Sequence, residues 1–253
     1  MDFAICTVPA APVRKEDSHR SEMVNQLLFG DTLEILEEKG EWFRIRSTYD
    51  QYEGWLTYHL VERIHGHNTS RPLAYVATGL VNPVTLPDQL VNIPMGSSLT
   101  GFDEETRLLW KDEMRYHGSF RNVMVKPDAE FLKRTAHVWI AAPYLWGGKT
   151  FMGVDCSGYV QTVFKVAGIA LQRDASQQAE QGSPVSLPEA KAGDLAFFHN
   201  EAGRVIHVGM VWNDHEIIHA SGRVRIDQLD GDGILNRENN RRTHRFHSVR
   251  RYF

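Results

Sequence analysis

PYLWGGKTFMGVDCSGYV, residues 143–160, sets Cys156 between a glycine-rich turn and the predicted start of a helix. Gly168 would cap the C-terminus of that helix. Backbone N–H groups and the dipole at a helix N-terminus favour a thiolate, and the same N–H groups are able to receive an oxyanion. The alternative is a buried structural cysteine, but the small neighbours of Cys156 leave space at its sulfur. Apolar side chains recur at helical spacing after Cys156, at Tyr159, Val160, Val163, Phe164 and Ala167.

Two downstream histidines lie in apolar, strand-like runs, VIHVGMVW at 205–212 and EIIHASG at 216–222. The turn at 213–215 leaves room for two antiparallel strands. Neighbouring strands are able to place the imidazole of His207 against the sulfur and that of His219 behind it, which is the logic of a nucleophile, a base and a third polar group. Each histidine alone is more typical of a hydrogen-bonded core or surface residue; the cysteine upstream favours the catalytic interpretation.

Three blocks resemble the NlpC-type bacterial cell-wall cysteine peptidases: DCSGY at 155–159, HVGM at 207–210 and IHASG at 218–222. The resemblance runs from about residue 127 to the C-terminus and implies a papain-like catalytic domain. It implies Cys156 as the nucleophile, His207 as the general base and His219 as the residue that orients the base. Tyr144 matches a family tyrosine whose hydroxyl lies beside the nucleophile and helps to hold the oxyanion. A packing aromatic on a loop is the alternative for Tyr144.

The segment LQRDASQQ, residues 171–178, resembles the γ-D-glutamyl-L-diamino-acid endopeptidases (dipeptidyl-peptidase VI type) that trim murein peptides. In that subgroup an aspartate at the position of Asp174 binds the α-amine of the substrate's first residue, L-alanine. An ammonium that leaves water needs such a carboxylate, and the pair discriminates against a capped amine. Alternatively, Asp174 caps a short helix over 175–181, and the two roles are compatible. Ser157, next to the cysteine, is a further candidate for substrate binding.

Composition limits the functional classes. The 253 residues carry 28 basic and 32 acidic side chains, a net charge of −4, which indicates no affinity for nucleic acid or anionic lipid. Cys6 and Cys156 are the two cysteines, so a disulfide framework is excluded and a reducing compartment is favoured. Residues 1–6 lack signal-peptide features and no stretch approaches a membrane span. We therefore expect a cytoplasmic protein, or a periplasmic or secreted one if a signal peptide was removed.

The first half of the chain differs from the second. Residues 1–65 alternate apolar and polar side chains in short runs separated by turn signals, which predicts a small β-barrel. The order of its blocks LLFGD, EWFRIR and EGWL resembles bacterial SH3-like domains. Residues 66–126 are interpreted as a second, divergent SH3-like barrel, with the catalytic domain at 127–253. The predicted fold is therefore α+β. Within the second barrel we predict strands at 73–76, 90–93, 98–101 and 121–125.

The first barrel supplies two further candidates. In the murein-peptide endopeptidases it closes one end of the substrate groove, which would admit only short peptides with an uncapped N-terminus. Glu22, in the long loop of this barrel, is a candidate second carboxylate for the substrate ammonium. Tyr52 is a candidate hydrogen-bonding residue at the same end, and Tyr58 is its rival. Solvated loop residues are the alternative interpretation.

Together with these resemblances, the residues predict a cysteine endopeptidase of murein peptide recycling. It would cleave the γ-D-glutamyl–diamino-acid bond of murein-derived peptides with a free N-terminal L-Ala and release L-Ala-D-Glu. We expect no cofactor, no metal and no nucleic-acid, membrane or obligate protein partner. The alternatives are a hydrolase of intact peptidoglycan, a wall-binding module with a vestigial peptidase domain, and acyl transfer to an amine. The intact Cys156, His207 and His219 weigh against the vestigial domain, and their spacing lacks the close ligand pairs of zinc motifs.

Overall fold

The computed structural model describes residues 2–64 and 73–253. The chain divides into two compact units. The first comprises the chain up to Val125 together with Trp146–Phe151, and the second comprises Lys126–Leu145 and Met152–Phe253. The predicted boundary between the two SH3-like barrels, at residues 65 and 66, involves positions outside the described residues and stays a prediction.

Seven antiparallel strands of the first unit form one sheet in the order β3-β2-β6-β5-β4-β1-β7. Successive side chains of a strand face opposite sides, so β5 turns Phe43 and Ile45 into the core and leaves Arg44 exposed. The short strands predicted for this part of the chain are confirmed. The strands are β1 Asp2–Cys6, β2 Ala10–Arg14, β3 Met23–Leu28, β4 Thr32–Lys39, β5 Trp42–Ser47, β6 Glu53–Thr57 and β7 Val61–Ile64.

Two small sheets complete the first unit: β12 pairs with β8, and β9 lies between β10 and β11. The ring of Phe102 contacts the rings of Tyr75, Tyr116 and Phe120 in their shared core. The strand predicted at 98–101 is wrong, because only an isolated bridge joins Ser98 to Val76 there. The second SH3-like barrel stays a prediction for this region. Its strands are β8 Tyr75–Ala77, β9 Val81–Thr85, β10 Leu90–Pro94, β11 Arg115–Tyr116 and β12 Phe120–Asn122.

The second unit combines three helices with a sheet that closes on itself. The strand order is β15-β21-β16-β17-β18-β19-β20, and β20 also pairs with β21, so strands β16 to β21 form a barrel. Helix α2 packs against β17 and β18. The helices are α1 Ala129–His137, α2 Cys156–Val166 and α3 Ala175–Gln178. The strands are β14 Gly153–Val154, β15 Ser183–Val185, β16 Leu195–His199, β17 Val205–Asn213, β18 Glu216–Ser221, β19 Arg223–Asp230, β20 Gly233–Asn236 and β21 Arg241–Arg251. The short β13 Lys149–Thr150 belongs to the first unit.

Cys6 and Cys156 are both buried thiols with no disulfide between them. Across residues 2–64 and 73–253, no helix has both the length and the apolar character that a membrane span requires.

Candidate active site

Cys156 is the first residue of α2, as the sequence predicts. Asp155 is the N-cap, and its carboxylate accepts a hydrogen bond of 2.7 Å from the backbone N–H of Gly158. The helix ends at Val166, and Gly168 follows with a φ of 82°. Every residue of α2 is buried, so the cysteine is held at the end of a core helix that packs against β17.

A buried ion pair holds the segment after α2 to the start of that helix. Arg173, 1% exposed, donates to both carboxylate oxygens of Asp155 and, at 2.8 Å, to the hydroxyl of Ser157. A bidentate pair of this kind fixes geometry, because a buried guanidinium without its carboxylate would be very costly. Ser157, predicted as a substrate-binding residue, has its hydroxyl engaged in this network.

The protonation of Cys156 differs from the sequence-based expectation. Burial and the neighbouring Asp155 carboxylate raise the pKa of the thiol to about 12, against the opposing influence of the Val208 N–H, Arg173 and the Ser157 N–H. Burial and the Asp155 carboxylate thus oppose the thiolate that the helix N-terminus was expected to favour. The Asp155 carboxylate already occupies the N-terminal turn, and the thiol is only 6% exposed rather than surrounded by open space.

His207 and His219 lie on β17 and β18, which pair antiparallel as predicted. His207 Nε2 and His219 Nδ1 are 2.8 Å apart, and both side chains are buried. The register places Gly209 opposite His219, and a Cβ at Gly209 would lie 2.8 Å from the Cβ of His219. The two histidines are therefore diagonal neighbours on one face of the sheet, within reach of each other across a glycine.

Asp227 on β19 extends this pair to a third strand. Its Oδ2 lies 3.0 Å from His219 Nε2, and the side chains of both residues are 1% exposed. Arg225 approaches the same carboxylate, with its Nε 2.8 Å from Oδ2 and its Nη2 donating to Oδ1 at 3.0 Å. A polar relay thus crosses β17, β18 and β19.

Two aromatic rings pack against His207. The ring of His244 on β21 stacks on it with centroids 3.9 Å apart and planes 22° apart, and Phe198 packs at 5.8 Å. Burial, together with His244 and His219, holds the pKa of His207 well below its usual value. Burial also lowers the pKa of His219, although the Asp227 carboxylate opposes the shift. Both histidines are therefore neutral near neutral pH.

Tyr144 lies in the loop before β13, where its N–H donates to the Gly222 carbonyl at 2.9 Å. Burial, followed by the nearby Cys156 and Asp155, raises the pKa of its hydroxyl well above the ordinary value. The phenol is therefore a proton donor in the neighbourhood of the thiol, as its predicted role in holding an oxyanion requires.

Asp174 is the N-cap of α3, and the capping interpretation is confirmed. Gln177 completes a capping box, with its Oε1 accepting from the Asp174 N–H at 3.2 Å. The helix is shorter than the predicted 175–181, because it ends at Gln178. Asp174 directly follows Arg173, so the buried ion pair with Asp155 also fixes the position of this half-buried carboxylate relative to the nucleophile helix.

Glu22 and Tyr52 belong to the first unit. Glu22 is exposed in the loop between β2 and β3, and its Oε1 accepts a hydrogen bond of 2.7 Å from the indole N–H of Trp146. Tyr52 is half-buried just before β6, whereas its rival Tyr58 is exposed and its ring contacts Phe43. The substrate-binding roles of Glu22 and Tyr52 stay predictions.

Three residues of the site escape sequence reasoning: Arg173, Asp227 and His244. Simple alternation along VRID, residues 224–227, assigns Asp227 to the solvent face of its strand, yet it is buried. The one local signal is the opposite charge of Arg225 two positions earlier, on the same face. Within residues 2–64 and 73–253, no group of three or more His, Cys, Asp and Glu side chains is arranged to hold a metal ion.

Residues 141–242, which contain the cysteine and the relay, match the model described as the NlpC/P60 family. A probable endopeptidase NlpC homolog from Haemophilus influenzae is 34% identical over 167 residues, which cover 62% of this chain and 86% of the relative. The chain belongs to the NlpC/P60 family. Residues 13–59 of this NlpC/P60 protein match a second model, described as the bacterial dipeptidyl-peptidase Sh3 domain.

Two similarities extend over most of the NlpC/P60 chain. A γ-D-glutamyl-L-lysine dipeptidyl-peptidase from Bacillus subtilis is 29% identical over 210 residues, covering 77% of this chain and 71% of the relative. The crystal structure of an NlpC/P60 family protein from Bacillus cereus superposes with a TM-score of 0.82 over 99% of both chains at 20% identity, which shows the shared fold. The protein is a cysteine peptidase with a papain-like α+β fold and an N-terminal SH3 domain, as predicted.

Proposed function

We propose that this NlpC/P60 peptidase cleaves the γ-D-glutamyl–diamino-acid bond of short murein peptides whose N-terminal L-alanine is uncapped, releasing L-Ala-D-Glu. The observation that carries the proposal is the buried relay on β17 to β19 together with a cysteine at the start of α2, the helix that packs against β17 and β18. Two similarities support the choice of substrate: the relative named for a γ-D-glutamyl-L-lysine bond and the dipeptidyl-peptidase Sh3 match.

The chemistry begins from a neutral thiol and a neutral imidazole. As the Sγ of Cys156 attacks the γ-carbonyl carbon, His207 takes the thiol proton, so that the charge develops only in the transition state. The neutral hydroxyl of Tyr144 donates to the oxyanion of the tetrahedral intermediate. Because the Cys156 thiol is buried and neutral, its sulfur becomes nucleophilic only as its proton moves to His207.

The same imidazole completes the cycle. The protonated His207 gives its proton to the nitrogen of the departing diamino acid, and the C–N bond breaks to leave a thioester on Cys156. His207, again neutral, takes a proton from water as the water attacks the thioester carbonyl. The C–S bond then breaks, the protonated His207 returns the proton to the Cys156 sulfur, and L-Ala-D-Glu is released. Every step uses side chains of the protein and water, so the proposed reaction needs no cofactor.

Recognition of the substrate amine is assigned to carboxylates. Asp174 pairs with the ammonium of L-alanine, with Glu22 as a second carboxylate and Tyr52 as a hydrogen-bonding residue at the same end. The support for Asp174 is its half-buried side chain, held by a capping box and by the anchored Arg173. We place the enzyme in the cytoplasm, acting on small peptides without an obligate partner.

The test compares defined substrates. The wild-type protein and Cys156→Ala are incubated with L-Ala-γ-D-Glu-meso-diaminopimelate, with the L-lysine analogue and with intact peptidoglycan, and products are identified by mass spectrometry. We expect L-Ala-D-Glu from the tripeptides with wild type only. Fragments released from intact peptidoglycan at the faster rate would instead identify a wall hydrolase, and activity in Cys156→Ala would overturn the mechanism.

A further inference from the structure

We infer that Asp227 is a positioning residue that fixes the protons of the His219–His207 pair and thereby makes Nδ1 of His207 the basic atom. The inference rests on the proposed role of His207 as the base of the reaction. It adds a fourth residue to the cysteine and the two histidines, and it assigns a tautomer to each imidazole.

Asp227 reaches the relay by the same diagonal geometry that joins the two histidines. In the register of β18 and β19, Ile217 lies opposite Asp227 and His219 lies opposite Arg225. Asp227 is therefore the diagonal neighbour of His219, and its Oδ2 lies 3.0 Å from His219 Nε2. The other oxygen accepts from the Arg225 guanidinium and from the backbone N–H of Arg237, each at 3.0 Å.

The carboxylate is ionised and is therefore purely an acceptor. Burial alone would raise the pKa of Asp227, but hydrogen bonds from His219, Arg225 and the Arg237 N–H hold it well below its usual value. An ionised carboxylate has no proton to give. The contact with His219 Nε2 is therefore a hydrogen bond that His219 donates.

The proton positions then follow along the relay. A neutral His219 has a single ring N–H. The hydrogen bond to Asp227 places this N–H at Nε2, so Nδ1 of His219 is an acceptor. The 2.8 Å contact with His207 must then be donated by His207 Nε2. Neutral His207 has its only N–H at that atom, and its Nδ1 lone pair is left available for the thiol proton.

The tautomer of His219 has to be fixed by a neighbour such as Asp227, because a neutral imidazole has two tautomers. In the other tautomer, Nδ1 of His219 would donate to Nε2 of His207. The proton of His207 would then lie on Nδ1, the atom required to act as the base. Charged or titratable groups beside the pair include Arg225 on β19, which contacts Asp227, and His244 on β21, which stacks on His207.

Asp227→Asn tests the inference directly. An amide is able to present its NH2 group to His219 Nε2 and so permits the wrong tautomer; we expect kcat/KM to fall by roughly 10²- to 10⁴-fold. The matched control is Asp230→Asn on the same strand, which also removes a carboxylate paired with an arginine, Arg242. That control should keep the wild-type rate. Full activity in Asp227→Asn would overturn the inference while leaving the cysteine mechanism intact.

A second background separates tautomer control from a structural role. In His219→Asn the side-chain amide accepts directly from His207 and has no ring tautomer to set. Adding Asp227→Asn to His219→Asn should therefore cost less than about threefold in kcat/KM, far less than in the wild-type background. Equal losses in both backgrounds would show that Asp227 only supports the fold and would overturn the inference.

A substrate-independent measurement covers the case in which Asp227→Asn fails to fold. Long-range ¹H–¹⁵N spectra of the ¹⁵N-histidine-labelled wild-type protein distinguish Nε2–H from Nδ1–H tautomers. Assignment uses His207→Asn and His219→Asn. We expect Nε2–H for both residues near pH 7.5, whatever the substrate of the enzyme proves to be. An Nδ1–H tautomer at His207 in the wild type would overturn the inference.

Discussion

At the residue scale, the neighbours of Cys156 act against its ionisation. The Asp155 carboxylate both caps α2 and adds negative charge beside the sulfur, and burial raises the pKa of the thiol to about 12. His207, whose pKa is lowered by burial, is also uncharged. Cys156 and His207 are therefore both neutral at rest, and reactivity depends on transfer of the thiol proton rather than on a preformed thiolate.

This neutral pair predicts the pH dependence of alkylation. At pH values well below the pKa of the Cys156 thiol, the thiolate fraction rises about tenfold for each pH unit. The rate of iodoacetamide labelling should therefore rise about tenfold for each pH unit between 7 and 9. Mass spectrometry of the labelled peptides gives the rate and separates Cys156 from Cys6, the fully buried internal control. Labelling that is fast and independent of pH over this range would indicate a stored thiolate. Preferential labelling of Cys6 would count against Cys156 as the reactive thiol.

Asp174 provides a second residue-scale prediction, which concerns the substrate amine. A hydrogen bond to a charged group contributes about 1.5–3 kcal/mol, so N-acetylation of the tripeptide should lower kcat/KM by roughly tenfold to a few hundredfold. Asp174→Asn should cause a comparable loss on the uncapped peptide and little further loss on the acetylated one. Glu180→Gln, an exposed carboxylate just after α3, is the matched control. Equal rates on both peptides would contradict the amine-binding role.

At the scale of elements, strand β17 carries both His207, the proposed base, and Gly209, whose missing side chain leaves space for His219. Gly209 follows His207 by two positions on the same face, and a side chain there would meet His219. The helix and strands of the site were predictable because each carries a local period: 3.6 residues after Cys156, and apolar runs around His207 and His219. The strand predicted at 98–101 was wrong, because pairing depends on a distant partner as well as on local alternation.

Gly209→Ala should therefore impair catalysis. The added Cβ would lie 2.8 Å from the Cβ of His219 and 2.7 Å from Ile217 Cδ1, so β17 and β18 have to shift apart at the site. We expect kcat/KM to fall roughly 10- to 100-fold, since small displacements of a base are costly. Gly231→Ala is the control, because a Cβ there meets nothing within 4 Å. Unchanged kcat/KM in Gly209→Ala would contradict this account of the strand.

At the scale of the whole molecule, the buried His207 and His219 and the half-buried His244 link stability to pH. Burial lowers the pKa of His207 and of His219, and it lowers the pKa of His244 to about 4. Unfolded histidines titrate near 6.5, so between about pH 6.5 and 5 the unfolded chain binds more protons than the folded one. The stability that these residues allow is present above the unfolded-state pKa near 6.5. It is lost as the pH falls towards the folded-state pKa, which for His244 is about 4.

The free energy of unfolding should therefore drop steeply between pH 6.5 and 5, with uptake of up to about three protons. His244→Phe keeps a ring against His207 but removes one titrating group, so the slope should decrease by about one proton. Urea unfolding at pH steps of half a unit measures the slope of the free energy of unfolding against pH. The control is His215→Asn, at an exposed turn. A slope unchanged in His244→Phe would show that His244 is not held neutral by the fold.

The sequence by itself determined that this protein is a cysteine peptidase and which cysteine and histidines are its candidate catalytic residues. The helix beginning at Cys156, the two histidine strands and the all-β first half each rest on spacing within a few neighbouring residues, and such patterns are visible along the chain. The resemblance to cell-wall peptidases used the same local blocks. Asp174 at a helix N-cap was also predictable, because capping residues act on the turn that follows them.

Only the tertiary structure decided which residues of the site contact one another. Asp227 reaches His219 across a strand pairing, Arg173 reaches Asp155 through the core, and His244 comes from the last strand to stack on His207. No local pattern specifies these contacts, because they join residues that are neighbours in space alone. The neutral state of Cys156 has the same origin: burial depends on everything packed around a group, so its effect on the pKa appears only in the folded protein.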